Sequence, residues 1–438
     1  MQPSISRRRV IGGTAALLTG AAVGAVAAPA EYYPAWVVDR LIGRRSKPEF
    51  DWRPPIGRDP IEDGYDALVE RTERAKNLWD EIDADREDLP PATRLGPIRL
   101  GEAESTVEKF DADEASWDAW YELYLASAAA GDAVGAALVE LGEADPEGLV
   151  GDGEELRDRI EGVADEVPYR IEHSGEDLGW LYRIEQRLSL ARLNSYRGGT
   201  YMGGVTPPEE YSDNDIVRTH EAHAKAAESI RLARHWRRAY AEDDGDRRDV
   251  EDELETLEAA YIDEVDRLDI PLEEQRKTLD ELDEGPYMEA RAHLVHATLR
   301  NLHPVTYGPS EGLLVYRTIR QARNVLRVRA YRSAREAFEL DPDEPVEAVT
   351  VYRAEERATE QLRNARDRLD EPLAWAVLRE AAGRIRTAHR TLVDEERDRE
   401  LTRAQSYAAY LGGEHQLEHV SAVLAPFEDG GVDPGAFE

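Results

Sequence analysis

DEASWDAWYELYLASAAAGDAVGAALVELG (residues 113–142) is the stretch whose reading decides the fold. Trp117, Trp120, Leu123, Leu125, Val134, Leu138 and Leu141 punctuate it in a helical pattern, and its Ala-rich centre allows another helix to approach closely. Upstream, Tyr65, Leu68, Val69, Leu78, Trp79 and Ile82 recur at three- and four-residue steps, which makes one buried face. Further helices are expected over 152–166, 175–197, 212–242, 247–268, 271–283, 286–303, 309–340, 345–369, 372–395, 398–411 and 414–425. Pro271, Pro286, Pro345 and Pro372 each suit a first helical turn, where a missing N–H costs nothing. Ser212 ahead of Asp215 and Asp370 ahead of Pro372 suit N-caps. No alternating run of β-branched residues exceeds about five, so little sheet is expected. The expected fold is an all-α, irregular bundle of about eleven to thirteen helices.

The segments expected are a targeting segment at 1–30, a Pro-rich extended tether at 31–60, an N-terminal helical region at 61–206, a C-terminal bundle at 207–425 and a flexible acidic tail at 426–438. LPPATRLGPIRLG (89–101) interrupts the helical pattern. Glu242-Asp243-Asp244-Gly245-Asp246 reads as the turn of an antiparallel hairpin joining helices 212–242 and 247–268. The echo between residues 137–147 and 337–343 resembles the end of a tetratricopeptide unit, and that resemblance implies an α-solenoid as the alternative fold. No 34-residue period supports it, which favours the bundle.

Charge sets the solvent. There are 92 Asp and Glu against 55 Lys and Arg, a net of −37, and only five of the bases are Lys. The first thirty residues hold three Arg and no acid, so residues 31–438 carry −40. Such a surface repels itself in ordinary buffer, and a Debye length of about 3 Å at 1 M salt removes most of that repulsion. Acid excess with Lys depletion resembles the proteins of extreme halophiles. With 41% apolar residues and eight Trp, the chain can build a core, which argues against a disordered acidic protein. The overall field repels phosphate, so neither nucleic acid nor an anionic membrane surface is an expected partner. With no Cys, disulfides and thiolate metal sites are excluded.

Ser6-Arg7-Arg8-Arg9-Val10-Ile11, followed by an uncharged run from Val10 to Ala30, resembles a twin-arginine signal peptide, with Arg7 and Arg8 as the recognised pair. The resemblance implies export of an already folded protein. Ala25-Val26-Ala27 and Ala28-Pro29-Ala30 offer cleavage sites, which would leave an N-terminus at Ala28 or Glu31. Equally, the 21-residue run spans a bilayer core of about 30 Å, and Tyr32, Tyr33 and Trp36 follow it as an interfacial belt would, which describes a retained anchor.

Four constellations could carry chemistry. Glu289, His293, His296, Arg300 and His303 form one polar stripe, and His220-Glu221-Ala222-His223 supplies a second pair. If the two helices face each other, His220, His223, His293 and His296 could bind zinc or another divalent metal; otherwise they are structural histidines bonded to carboxylates. His415-Gln416-Leu417-Glu418-His419 matches the H-x-x-E-H string of inverted zinc metallopeptidases, a resemblance that would make His415 and His419 ligands and Glu418 the base. The downstream acidic ligand and the α/β architecture of that family are missing. Between Gly312 and Ser333 lie six Arg and no acid. Arg320, Arg323 and Arg327 line up between Tyr316 and Tyr331, either to meet carboxylates of neighbouring helices or to form an anion pocket. Gly198 to Gly204 reads as a crossing loop, since it lacks the Lys and the preceding strand of a phosphate-binding loop.

No nucleophile elbow, kinase set or thiol chemistry is present. The expected function is therefore a non-enzymatic scaffold or binding module at the outer face of the cell membrane, for an unknown protein or small ligand and without a cofactor. The alternative is a metal-binding protein or metal-dependent enzyme using the His stripe, with zinc or a similar ion as cofactor.

Overall fold

The computed structural model describes residues 33–437 except 44–49, 51, 85, 112–113, 197–206, 243–244, 269, 271–276, 278, 280–283, 300–301, 303–309 and 394–397. The expected targeting segment, the expected loop at 198–204, most of the expected 271–283 helix, Arg300 and His303 lie outside the described residues. Thirteen α-helices occur among the described residues: α1 Ala35–Gly43, α2 Asp59–Trp79, α3 Gly96–Lys109, α4 Trp117–Leu141, α5 Pro146–Ala164, α6 Ser174–Asn194, α7 Asp213–Glu242, α8 Glu251–Arg267, α9 Pro286–Leu299, α10 Leu314–Glu336, α11 Ala348–Arg368, α12 Pro372–Val393 and α13 Arg399–Leu424. The described strands are two-residue pieces, β1 Arg170–Ile171 and β2 Arg248–Asp249, paired antiparallel. The protein is an all-α multi-helix bundle.

A central helix pair and a third hub helix organise the packing. α4 and α7 lie against each other, with α2, α3 and α5 around them, while α13 is surrounded by α9, α10, α11 and α12. α6 touches α7 on one side and α10 and α12 on the other, so a single apolar cluster runs through both halves. A solenoid unit contacts only its neighbours in sequence; here α8 packs on α10 and α1 packs on α11 and α12, which is bundle geometry. α4 is apolar and long enough to cross a bilayer, yet 67% of its most apolar window is buried in protein. Its small residues explain the close α4–α7 contact. A Cβ at Gly131 would lie 2.6 Å from the His220 carbonyl oxygen, and one at Gly135 would lie 2.9 Å from the Cα of Val217.

Several local expectations hold. Ser212 and Asp215 cap α7 reciprocally, the Ser212 N–H donating to Asp215 Oδ2 at 3.0 Å and the Asp215 N–H to Ser212 Oγ at 3.3 Å. Pro286 and Pro372 open their helices. Others are corrected. Residues 31–60 do not form a free tether: α1 lies within them, Phe50 is buried edge-on to Trp375, the Arg53 guanidinium sits 3.9 Å from the Trp117 ring centroid, and Trp236 Nε1 donates to the Pro55 carbonyl at 3.0 Å. The interruption at 89–101 gives way to α3 from Gly96 onward. The 398–411 and 414–425 helices are one helix, and Gly413 within it faces Ile385, where a Cβ would come within 2.8 Å. The expected α7–α8 hairpin is replaced by packing of α8 on α10, its start fixed by the β1–β2 pairing and by the Val250 N–H donating to the Tyr169 carbonyl at 2.9 Å. A boundary at 206/207 would part α7 from α4, α5 and α6, on which it packs. The tail also folds, with Phe427 and Val432 buried and Phe437 edge-on to Tyr261 at 4.6 Å.

Candidate functional site

The expected four-histidine site is not assembled. α7 packs on α2, α4, α5 and α6, whereas α9 packs on α10 and α13, so each histidine pair has its own neighbourhood. The α9 face that reaches the core is Ala290, Leu294 and Val295; His293 sits near Arg384 and Glu289, His296 is exposed, and Glu289 accepts from Gln405 at 2.6 Å. His415 Nδ1 pairs with Glu418 Oε2 at 2.7 Å, and His419 Nε2 lies 3.0 Å from Ser333 Oγ. Among the described residues, no three His, Asp or Glu side chains are arranged to hold a metal ion.

The Arg stripe of α10 is consumed by the bundle rather than opened as an anion pocket. Arg317 grips Glu258 of α8 through Nε and Nη2 at 3.0 and 2.7 Å, Arg327 grips Glu380 of α12 at 2.7 and 2.6 Å, and Arg329 meets Glu264 at 2.7 Å. Arg323 donates to the Tyr182 hydroxyl at 2.8 Å and to the Ala376 carbonyl. Arg320 stacks over Tyr316, and Tyr331 is buried. A helix with two apolar faces lies deep, and its cations then require partners. The start of α10 is held the same way. The buried Glu185 carboxylate accepts from the Tyr316 N–H at 2.5 Å and the Tyr169 hydroxyl at 2.8 Å, and burial pushes its carboxyl up to about 7.

What the structure does assemble is an Arg-rich groove along α7, in which six Arg face five lining acids. His220, His223, Arg231, Arg234 and Arg238 follow one another at three-, four- and eight-residue steps, so they share a helical face. α2 adds Arg71 and Arg74, and α5 adds Arg159. Two cavities open along this face. One, of about 250 Å³, is bounded by Arg71, Arg74, Arg159, His220 and His223, with Asp152 and Glu155 also lining it. The other, of about 280 Å³, is bounded by Arg159, Arg231, Arg234, His235 and Arg238, with Asp59, Asp63 and Glu242 also lining it. Arg159 lines both.

Beside the groove sits one fully buried carboxylate, Glu228. It pairs with Arg231 and accepts from Ser127 Oγ at 3.2 Å. Its pull on Arg71 does not offset the cost of burying that guanidinium. Burial lowers the Arg71 pKa, Glu228 opposes the shift, and Arg231 and Arg74 add to it. Burial also lowers that of Arg159, with Arg234 and Arg231 adding like-charge repulsion. Arg71 Nη1 is buried and has no hydrogen-bond partner among the described residues. Such a donor is costly to leave unmade. Burial brings His220 and His223 down to about 4, so both imidazoles are neutral at pH 7; His223 hydrogen-bonds to the Ser195 backbone, which leaves His220 to offer an N–H. His235 accepts the Gly57 N–H at 3.2 Å through Nε2. Among the described residues, no hydroxyl, thiol or amine side chain lines either cavity.

The histidine shifts give a pH prediction. An imidazole with a folded pKa of about 4 and an ordinary value of 6.5 takes up its proton more readily in the unfolded chain. Its contribution is therefore complete above pH 6.5 and is lost as pH falls toward 4, about 3 kcal/mol for each residue. Glu185, raised above its ordinary value, acts with the opposite sign over an overlapping range. Urea titrations of the protein and of a His220→Asn/His223→Asn variant should therefore differ in slope between pH 4 and 6.5, the variant being less sensitive to acid. Equal slopes would remove the assignment.

Sequence reasoning found His220 and His223 but missed the arginines that complete their face. The available signal was a row of bases at helical spacing in an acidic chain; it was hidden because Glu228 and Glu242 are interleaved with it. Residues 59–247 match a family described as a domain of unknown function (DUF8262), and residues 247–429 match a second domain of unknown function (DUF8264). No curated protein and no solved structure matches the chain. Every groove residue falls within 59–247, and the join between the two matched regions lies just after α7, at the edge of β2.

Proposed function

We propose that this protein is an exported, non-enzymatic binding module of the halophilic type that holds an anionic ligand in the groove of α2, α5 and α7. The observation that carries the reading is the unpartnered Arg71 Nη1 beside guanidiniums that repel one another, in a chain with a net charge of −37. Arg forks and the neutral His220 N–H match the oxygens of carboxylate, phosphate or sulfate.

Thermal melts in multimolar KCl test the reading. Added phosphate or sulfate should raise the melting temperature, and Arg71→Gln should abolish the increment. A protein indifferent to every oxyanion would end it. Export is tested separately: replacing Arg7 and Arg8 with Lys preserves charge but removes the recognised pair, so the precursor should stay inside the cell, and unchanged export would assign another route.

A further inference from the structure

We infer that the groove takes a linear chain of repeating oxyanions rather than a single ion, a step that rests on reading the groove as an anion site. Two cavities of similar size lie in line along α7 and share Arg159 at their junction. From His223 to Arg238 the helix rises about 22 Å, at about 1.5 Å per residue. No single phosphate or carboxylate spans that distance. A chain carrying an anionic group every few ångströms meets Arg71 and His223 at one end, Arg159 in the middle, and Arg234 and Arg238 at the other.

The shape of the site limits the alternatives. Asp59, Asp63, Asp152, Glu155 and Glu242 are exposed and line the same cavities as the Arg side chains, so a wide anionic face would meet acid as well as base. A duplex or a bilayer presents charge over a wider face and would press against those carboxylates. In concentrated salt, long-range attraction is screened, and only contact-range forks of the kind Arg71 and Arg159 provide retain selectivity. Successive contacts on one chain then act as a multivalent set, in which each bound unit raises the effective concentration of the next.

Calorimetric titration of the full chain in multimolar KCl tests this with orthophosphate, a linear polyphosphate of about ten units and a sulfated oligosaccharide of comparable length. A linked set should bind about a hundredfold more tightly than orthophosphate, with one chain per protein. Arg159→Gln should shrink the ratio of chain to orthophosphate affinity to about tenfold or less, because it removes the shared contact. Arg320→Gln, at a cation stacked on Tyr316 away from the groove, should leave the ratio unchanged. The preferred chain identifies the source: polyphosphate points to a phosphate polymer and the sulfated probe to an acidic glycan. Equal affinities for orthophosphate and both chains, or an Arg159→Gln ratio identical to that of the unmodified protein, would overturn the chain inference while the anion site stands. Failure of all three probes to bind would overturn the anion reading itself.

Discussion

At about 0.1 M salt the protein is expected to lose its cooperative helical transition, and in multimolar KCl or NaCl to regain it. The cause is the −40 carried by residues 31–438. Dilute salt lets those charges interact across a Debye length of about 10 Å, against about 3 Å at 1 M, and the compact state bears more of the repulsion than the unfolded chain. Buried pairs such as Arg327–Glu380 are screened much less than surface charges. They oppose the loss without cancelling an excess that is mainly on the surface. Melts followed by circular dichroism across a salt series give the test. A melting temperature that is the same in dilute and multimolar salt would sink the halophilic assignment.

The fold class was legible because one rule dominates it: apolar residues at three- and four-residue steps must be buried, and few β-branched alternations compete. Helix starts were legible where the cap is local, as at Ser212–Asp215. Partners were not. The acidic turn at 242–246 implied a hairpin, but turn chemistry says nothing about which helix the next one will touch. α8 buries Leu254, Leu257 and Tyr261 with α10 as its main partner. Gly412-Gly413 resembled a break because a glycine's role depends on what approaches it, and here that is Ile385, from a helix ending about twenty residues earlier. The stretch from Phe50 to Arg58 carries Pro and charge, the signature of a linker, yet its aromatic and cationic side chains find Trp117 and Trp375. The groove was half legible for the same reason. His220 and His223 were visible as a pair, but the cations they join come from three helices that only packing brings together.

Replacing Glu228 with Ala is expected to cost about 3–5 kcal/mol, a large loss for a single substitution. Glu228 is fully buried, partnered by Arg231 and Ser127, and opposes the shift that burial imposes on Arg71. Removing it leaves two guanidiniums close together without the carboxylate between them. Ser127 Oγ loses its acceptor at the same time. Glu228→Gln should lie between the two proteins, since the amide oxygen can still accept from Ser127 but no longer balances charge. Denaturant midpoints at fixed salt measure the loss, and an unchanged slope would show that the folded and unfolded states are otherwise the same. A loss under about 1 kcal/mol would mean that the arginines already reach enough solvent, and the groove would no longer need an anion. The proposed function adds a second expectation. In the Ala variant an oxyanion can sit where the carboxylate was, so phosphate should restore more stability to the variant than it adds to the unmodified protein. Equal increments would separate the ligand's position from that of Glu228 and confine it to the two cavities.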